Sequence, residues 1–399
     1  MRIMTLSNAP WTSTGYGNQT RVFTPRLKAL GHEIAITAFY GLEGAVLHWN
    51  GMPIYPRAQH PYGQDVMAAH ATHFRADVLI SLMDAWVVEP RMLIGGVRWA
   101  PWFPVDMDPL PPPVKNTVSQ AFARIVYSKF GERMVHQAGL DCHYVPHGVE
   151  TEVFKPTSKS EAREALKVPA DAFIVGMVAA NKGNPSRKAF TQQIEAFARF
   201  HQKHSDSLLY LHTSKSENGE HQGINLVEFC SYHDLQVGRD VVFADQYSQV
   251  LGFPDAYMVN AYNAMDVLLS ASMGEGFGIP ILEAQSCGTP VIVGGWTAMP
   301  ELAFAGWTVP ETAADRYWTP LGAYQWVPRV GAIEDRLRAA YHEGKSEKLQ
   351  TIARQGALAY DADRVTREYW VPVLDAIEER IGLAKKAAET VRADWMARA

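Results

Sequence analysis

Over most of its length the chain alternates short apolar, often β-branched runs with longer amphipathic stretches. In the first part the strand-like runs are RIMTLSN (2–8), HEIAITAFY (32–40), ADVLISL (76–82), VRWAPWF (97–103), ARIVYS (123–128) and CHYVPHG (142–148). Helical spacing occupies 17–30, 64–75 and 129–138. The pattern restarts with AFIVGMVAA (172–180), SLLYLHT (207–213), VVFAD (241–245), DVLLSAS (266–272), PVIVGG (290–295) and WTVP (307–310). Strands that are apolar on both sides and alternate with helices predict parallel sheets covered on both faces. Beyond residue 330 only helical patterns remain, at 331–343, 346–360 and 363–388. The last should kink at Pro372, whose ring clashes with the preceding turn. A polar stretch with two prolines, 151–170, separates the two series and is expected, with the last helix, to form a hinge. The prediction is an α/β protein of two doubly wound domains, residues 1–160 and 161–375, with a C-terminal helix of about 376–399 crossing back to the first. In such sheets ligands lie beyond the carboxyl ends of the strands, so the site is expected in the cleft where the two sets of ends face each other.

Composition is that of a globular protein: of 399 residues, 47% are hydrophobic and 20% charged. The formal charge of −5 is too small and of the wrong sign for whole-chain attraction to nucleic acid or an anionic membrane. It is unevenly spread. Residues 1–160 carry 14 Lys/Arg and 12 Asp/Glu, against 23 and 30 in the remainder, which leaves room for a local anionic acceptor in the front half. Three scattered cysteines, Cys142, Cys230 and Cys287, fit a reducing compartment and exclude a disulfide scaffold or a CxxC zinc site. The opening MRIMTLSN reads as a strand, not a secretory leader, and no apolar run is long enough to span a bilayer. A cytoplasmic protein is expected.

The densest chemistry lies in LSASMGEGFGIPILEAQSCGTP (269–290). A strand ends near Ser272, and a loop with Gly274, Gly276 and Gly278 leads into a helix that opens near Pro280. Glycines permit close approach of a ligand, and a helix N-terminus offers free N–H groups to an anion. Glu275 stands on the loop and Glu283 about one turn into the helix. Three further strand ends carry candidate residues. The first turn, PWTSTGYGNQ (10–19), holds Gly15 and Gly17; Asp84-Ala85-Trp86 follows the third strand-like run; and Asp106 and Asp108 follow the fourth in a proline-stiffened loop. Asp-Met-Asp has the spacing of a divalent-metal site, and His70 and His73 form H-x-x-H, but neither has a further ligand nearby in sequence. Trp11, Tyr16, Trp86, Trp99 and Trp102 gather around the front strand ends, where some serve as stacking surfaces and the others as core.

Segment 269–290 closely resembles the E-x7-E motif of retaining glycosyltransferases of the GT-B fold, family 4 type: S-x-x-E-G-F-G-x-P-x-x-E-A-x-x-x-G-x-P-V, with Pro300-Glu301 downstream. Pro146-His147-Gly148-Val149-Glu150 is similar to the family's P-N-G-V-D, with His147 in place of Asn. The loop 181–188, NKGNPSRK, is similar to the loop that presents an Arg and a Lys to the donor diphosphate, here Arg187 and Lys188. The resemblance implies a hexosyl-type transferase that uses a UDP- or GDP-sugar as co-substrate and no metal ion or other cofactor. Glu283 would bind the ribose hydroxyls. Glu275 and the amides of Gly276, Phe277 and Gly278 would contact the sugar, and Gly15 and Gly17 would offer N–H groups in the cleft. Asp106, with Asp108 as the competing choice, would stand where the family often has His. An epimerase or a binding-only relative of the same fold is the alternative. The acceptor is left open among a small molecule, a lipid-linked sugar, a protein and a modified DNA base, as is the oligomeric state.

Overall fold

The computed structural model describes residues 1–89, 91, 96–216 and 223–398, with side chains as far as residue 384. Eight strands form the first sheet: β1 (Arg2–Asn8), β2 (Glu33–Glu43), β3 (Leu47–Trp49), β4 (Met52–Arg57), β5 (Val78–Leu82), β6 (Trp99–Phe103), β7 (Ile125–Val126) and β8 (His143–Tyr144). Their order is β3-β4-β2-β1-β5-β6-β7-β8, and only the β3–β4 pair is antiparallel. The second sheet is wholly parallel. It is built from β9 (Phe173–Val178), β10 (Ser207–His212), β11 (Val241–Phe243), β12 (Val267–Ser270), β13 (Val291–Gly294) and β14 (Gly306–Val309), in the order β11-β10-β9-β12-β13-β14. Strand order reverses between β1 and β5 in one sheet and between β9 and β12 in the other. The loops leaving those four strands diverge and open a crevice in each lobe.

Every residue of β5 and β6 is buried, as is every residue of β10 and β13, which is why these segments read as unbroken apolar runs. Two elements lie outside the sequence-based expectation. Strands β3 and β4 extend the first sheet, with β3 at its edge and β4 next in, where Pro53 lies opposite His48 of β3 and Pro56 opposite Ala38 of β2. The hairpin β15 (Ala314–Trp318) and β16 (Tyr324–Pro328) follows β14 and reaches the first lobe, where Asp108 and Tyr324 exchange backbone hydrogen bonds of 3.1 and 2.8 Å.

The chain passes between the lobes twice, and the two passages pair: Val149 N–H donates to Tyr360 O (3.0 Å) and Ala362 N–H to Val149 O (3.0 Å). Within the 151–170 stretch the helix Lys159–Leu166 packs on the second lobe, Arg163 donating to Ala264 O and pairing with Asp266. After the second passage, Thr366–Trp370 forms a π-turn that leads into the helix Val371–Arg398. A π-turn here absorbs the backbone hydrogen bond that Pro372 cannot make. Trp370 then packs edge-on to Trp102 (4.9 Å between rings) and against Phe23 (6.0 Å), so the C-terminal helix returns to the core of the first lobe. Leu374, Ile377 and Ile381 continue that buried stripe.

Candidate active site

The carboxyl ends of both sheets bound one cavity of about 980 Å³. From the second lobe, Arg187 and Lys188 leave the β9 loop and meet Glu275 of the β12 loop. Lys188 Nζ lies 2.6 Å from Glu275 Oε1 and Arg187 Nη1 3.3 Å from Oε2. Arg187 also donates to Gly274 O. Burial opposes ionisation of Glu275, but Lys188 and Arg187 hold its carboxyl down at about 2. Thr297 Oγ1 fixes the loop by accepting from Glu275 N–H at 3.0 Å. Arg187 and Lys188 precede the helix Phe190–His201 instead of opening it, because Ala189 takes a left-handed conformation (φ 50°) between them.

Gly278, at φ 114°, turns the chain into the helix Ile279–Ser286, with Pro280 in its first turn. Among the described residues the N–H groups of Gly276, Phe277 and Gly278 find no protein acceptor, and all three residues line the cavity. Gly274 and Gly276 are where the lobes touch: a side chain at either would strike Asp106 O or Pro104. Glu283, on the same helix, is buried. It accepts from Tyr262 Oη (2.7 Å) and, across the cleft, from Asn18 Nδ2 (3.2 Å). Burial lifts its carboxyl to about 7.

From the first lobe, Asp106 lines the cavity with its Oδ2 3.6 Å from Arg187 Nη1 and 3.4 Å from Gln325 Nε2. Its carboxyl is raised by burial, against the pull of Arg187. Asp108 turns away into the bridge with Tyr324 and pairs with Arg316 at 3.3 Å, so of the two acids Asp106 faces the cleft. The two carboxylates diverge, and among the described residues no three His, Cys, Asp or Glu side chains converge as metal ligands. Asp84 accepts from Tyr16 Oη at 3.3 Å, and burial together with Asp106 raises it to about 6. His70 stacks on Tyr55 beside Pro56 O, away from the cavity.

Several expectations change in place. Gly15 lines the cavity, but Gly17 does not offer its N–H there: the Thr14 side chain that caps the helix Gly15–Ala29 accepts it at 3.0 Å. Gly17 is small for packing, since a Cβ would overlap Thr12 Oγ1. Of the aromatic group, Trp99 and Trp102 are core, whereas Trp11 and Trp86 stand half exposed on the cavity wall. At the cleft the first lobe presents Asp84 and Asp106 together with Arg21. His147, which the sequence placed in the domain-closing motif without a ligand role, is buried against Tyr127 (4.1 Å), Trp102 and Phe277, with burial holding it down at about 3. Its position in the motif was the available signal. Asn18 and Tyr262, the partners of Glu283, had none.

Two sheets of this order facing one cleft, with the C-terminal helix returned to the first, define a GT-B fold. Sucrose-phosphate synthase from Thermosynechococcus elongatus superposes with a TM-score of 0.72 at 16% identity, covering 98% of this chain and 100% of that one. HepE of Anabaena, solved in complex with UDP-glucose, superposes with a TM-score of 0.69 at 17% identity over 94% of this chain and all of its own. Residues 173–317 match the model of the family described as Glycosyl transferases group 1. The D-inositol 3-phosphate glycosyltransferase of Saccharomonospora viridis is 30% identical over 195 residues, 48% of this chain and 44% of its own. The chain spans about half the length of the curated relatives it matches. Among the described residues no helix is long and apolar enough to cross a membrane.

Proposed function

We propose that this protein is a retaining glycosyltransferase that moves a hexosyl group from a nucleoside diphosphate sugar, UDP- or GDP-linked, to an acceptor hydroxyl without a metal ion. The observation that carries this reading is the convergence of Arg187, Lys188 and the unpartnered N–H groups of Gly276, Phe277 and Gly278 at one helix N-terminus, facing Asp106 across the cleft. Such a cradle favours a diphosphate, most of all as its charge grows on leaving. Glu275 keeps both cations aimed and stays ionised to accept from sugar hydroxyls. Glu283 receives the ribose hydroxyls.

In the reaction the bond from the anomeric carbon to the diphosphate oxygen breaks. The acceptor oxygen bonds to that carbon on the same face, and its proton passes to a phosphate oxygen of the departing nucleoside diphosphate. Arg187 and Lys188 stabilise the charge so formed, the work that a divalent ion does elsewhere. Asp106 orients the incoming hydroxyl or the sugar. A thermal-shift screen of UDP- and GDP-sugars tests the donor, since ligand at 100 times its Kd stabilises by about 2.7 kcal/mol. NMR of the product's anomeric configuration and turnover in EDTA test retention and metal independence. Reversible isomerisation of the donor would instead mark an epimerase, and binding without turnover a binding protein.

A further inference from the structure

The cavity has walls of different composition. The second lobe supplies the cations Lys182, Arg187 and Lys188 together with the acids Asp255, Glu275 and Glu283. Among the described lining residues the first lobe supplies two carboxylates, Asp84 and Asp106, and one cation, Arg21, whose guanidinium is committed to both oxygens of Asp255 at 2.7 and 2.9 Å. Trp11 and Trp86, each 46% exposed, line the same cavity. Trp11 is held in place by donating its indole N–H to Gly41 O (2.8 Å), and Trp86 sits on the short turn Ala85–Val87 that follows Asp84. Asn8, at the carboxyl end of β1, lines the same wall and is 94% buried. Its amide donates to Thr14 Oγ1 at 2.6 Å, while its Oδ1 has no partner.

We infer that this wall is the acceptor subsite and that it takes an uncharged carbohydrate, not a phosphorylated one. The inference rests on the glycosyltransferase reading above and goes on to name the substrate class. Sugar hydroxyls are donors, and the wall offers them acceptors in Asn8 Oδ1, Asp84 and Asp106. The apolar faces of sugar rings have Trp11 and Trp86 to lie on. A phosphate would meet two carboxylates in a partly desolvated cleft and find no uncommitted cation on this side.

The test uses matched acceptor pairs, glucose with glucose 6-phosphate and myo-inositol with inositol 3-phosphate, in two formats at pH 8. One is nucleotide release from a turned-over donor, and the other is calorimetric titration without donor. The neutral member is expected to be preferred by about tenfold or more, in kcat/KM and in affinity. Asp84→Asn should narrow that gap by improving the phosphorylated member, a gain that mere structural damage does not produce. Trp86→Ala should raise acceptor KM more than it lowers kcat. Lack of turnover with every sugar nucleotide defeats the transferase reading, and the donor-free titration then decides the subsite by itself. Equal affinity within the pairs, preference for the phosphorylated member, or binding of neither overturns it.

Discussion

Lys188 and Glu275, 87 residues apart in sequence, meet at 2.6 Å on the floor of the cleft, and Arg187 shares the same carboxylate. One acid therefore holds two cations where a diphosphate is expected. Glu275→Gln leaves Arg187 and Lys188 charged but no longer aimed, and removes the acceptor for sugar hydroxyls. We expect kcat to fall by about 10²-fold or more, with donor Kd changing much less, because the loss is felt most in the transition state. Lys188, which loses its partner, should also make the variant less stable in denaturant titration. Loss of kcat in proportion to folded protein alone would reduce Glu275 to a loop tether.

Glu283 gives a pH signature. Burial raises its carboxyl from the ordinary value near 4.5 to about 7. The folded state therefore holds a proton that the unfolded state releases above pH 4.5. Stability should decline as pH rises from about 4.5 to 7, by at most about 1.4 kcal/mol per pH unit from this group. Glu283→Gln should flatten that decline and raise the melting temperature at pH 8 relative to wild type, with the difference vanishing near pH 4.5. The same substitution should weaken donor binding by about 10- to 150-fold, the loss of one charge-assisted hydrogen bond. Unchanged donor Kd would refute the ribose assignment.

Trp370 ties the returning helix to Trp102 and Phe23. Trp370→Ala should cost about 3–5 kcal/mol through the cavity it leaves, and Trp370→Phe much less. Urea unfolding measures both. An unchanged midpoint in the alanine variant would mean that the return is not needed to hold the first lobe.

Glu301, from the second lobe, accepts the N–H groups of Lys129 (2.8 Å) and Phe130 (2.6 Å) at the start of the helix Lys129–Gln137 in the first. It thereby caps a helix across the lobe boundary. Glu301→Ala should lower unfolding free energy by about 0.5–2 kcal/mol and enlarge the radius of gyration in solution scattering by loosening the contact. No change in either would mean that solvent replaces the cap at no cost.

Much of this was legible in the order of residues. Ile174, Val175, Leu208 and Leu268 lie in runs that only a doubly covered strand explains, and the helices beyond residue 330 announce themselves by spacing. Glu275, Gly278, Pro280 and Glu283 fall within nine consecutive positions, close enough for local geometry alone to set their relation. Strand β4, with Pro53 and Pro56 among its six residues, carries little strand signal in the sequence, although it pairs with β2 on one side and β3 on the other. The β15–β16 hairpin was missed although Thr319–Ala323 separates two aromatic-rich runs, a turn signal that was there to be read.

What the sequence could not settle depends on which strands become neighbours. Asp108 competes with Asp106 until the hairpin takes Asp108 through Tyr324 and leaves Asp106 facing Arg187. Glu283 is a carboxylate on a helix until burial lifts its proton affinity, against the hydrogen bonds from Tyr262 and Asn18 that favour the charged form. A charge total over residues 1–160 says nothing of Asp84 and Asp106 sharing one wall. The sequence alone determined the elements and the motif, because helix, strand and turn are set by neighbours a few residues away. Only the tertiary structure decided which charges share each wall and the ionisation of each acid, because both depend on desolvation and on charges brought together from distant parts of the chain.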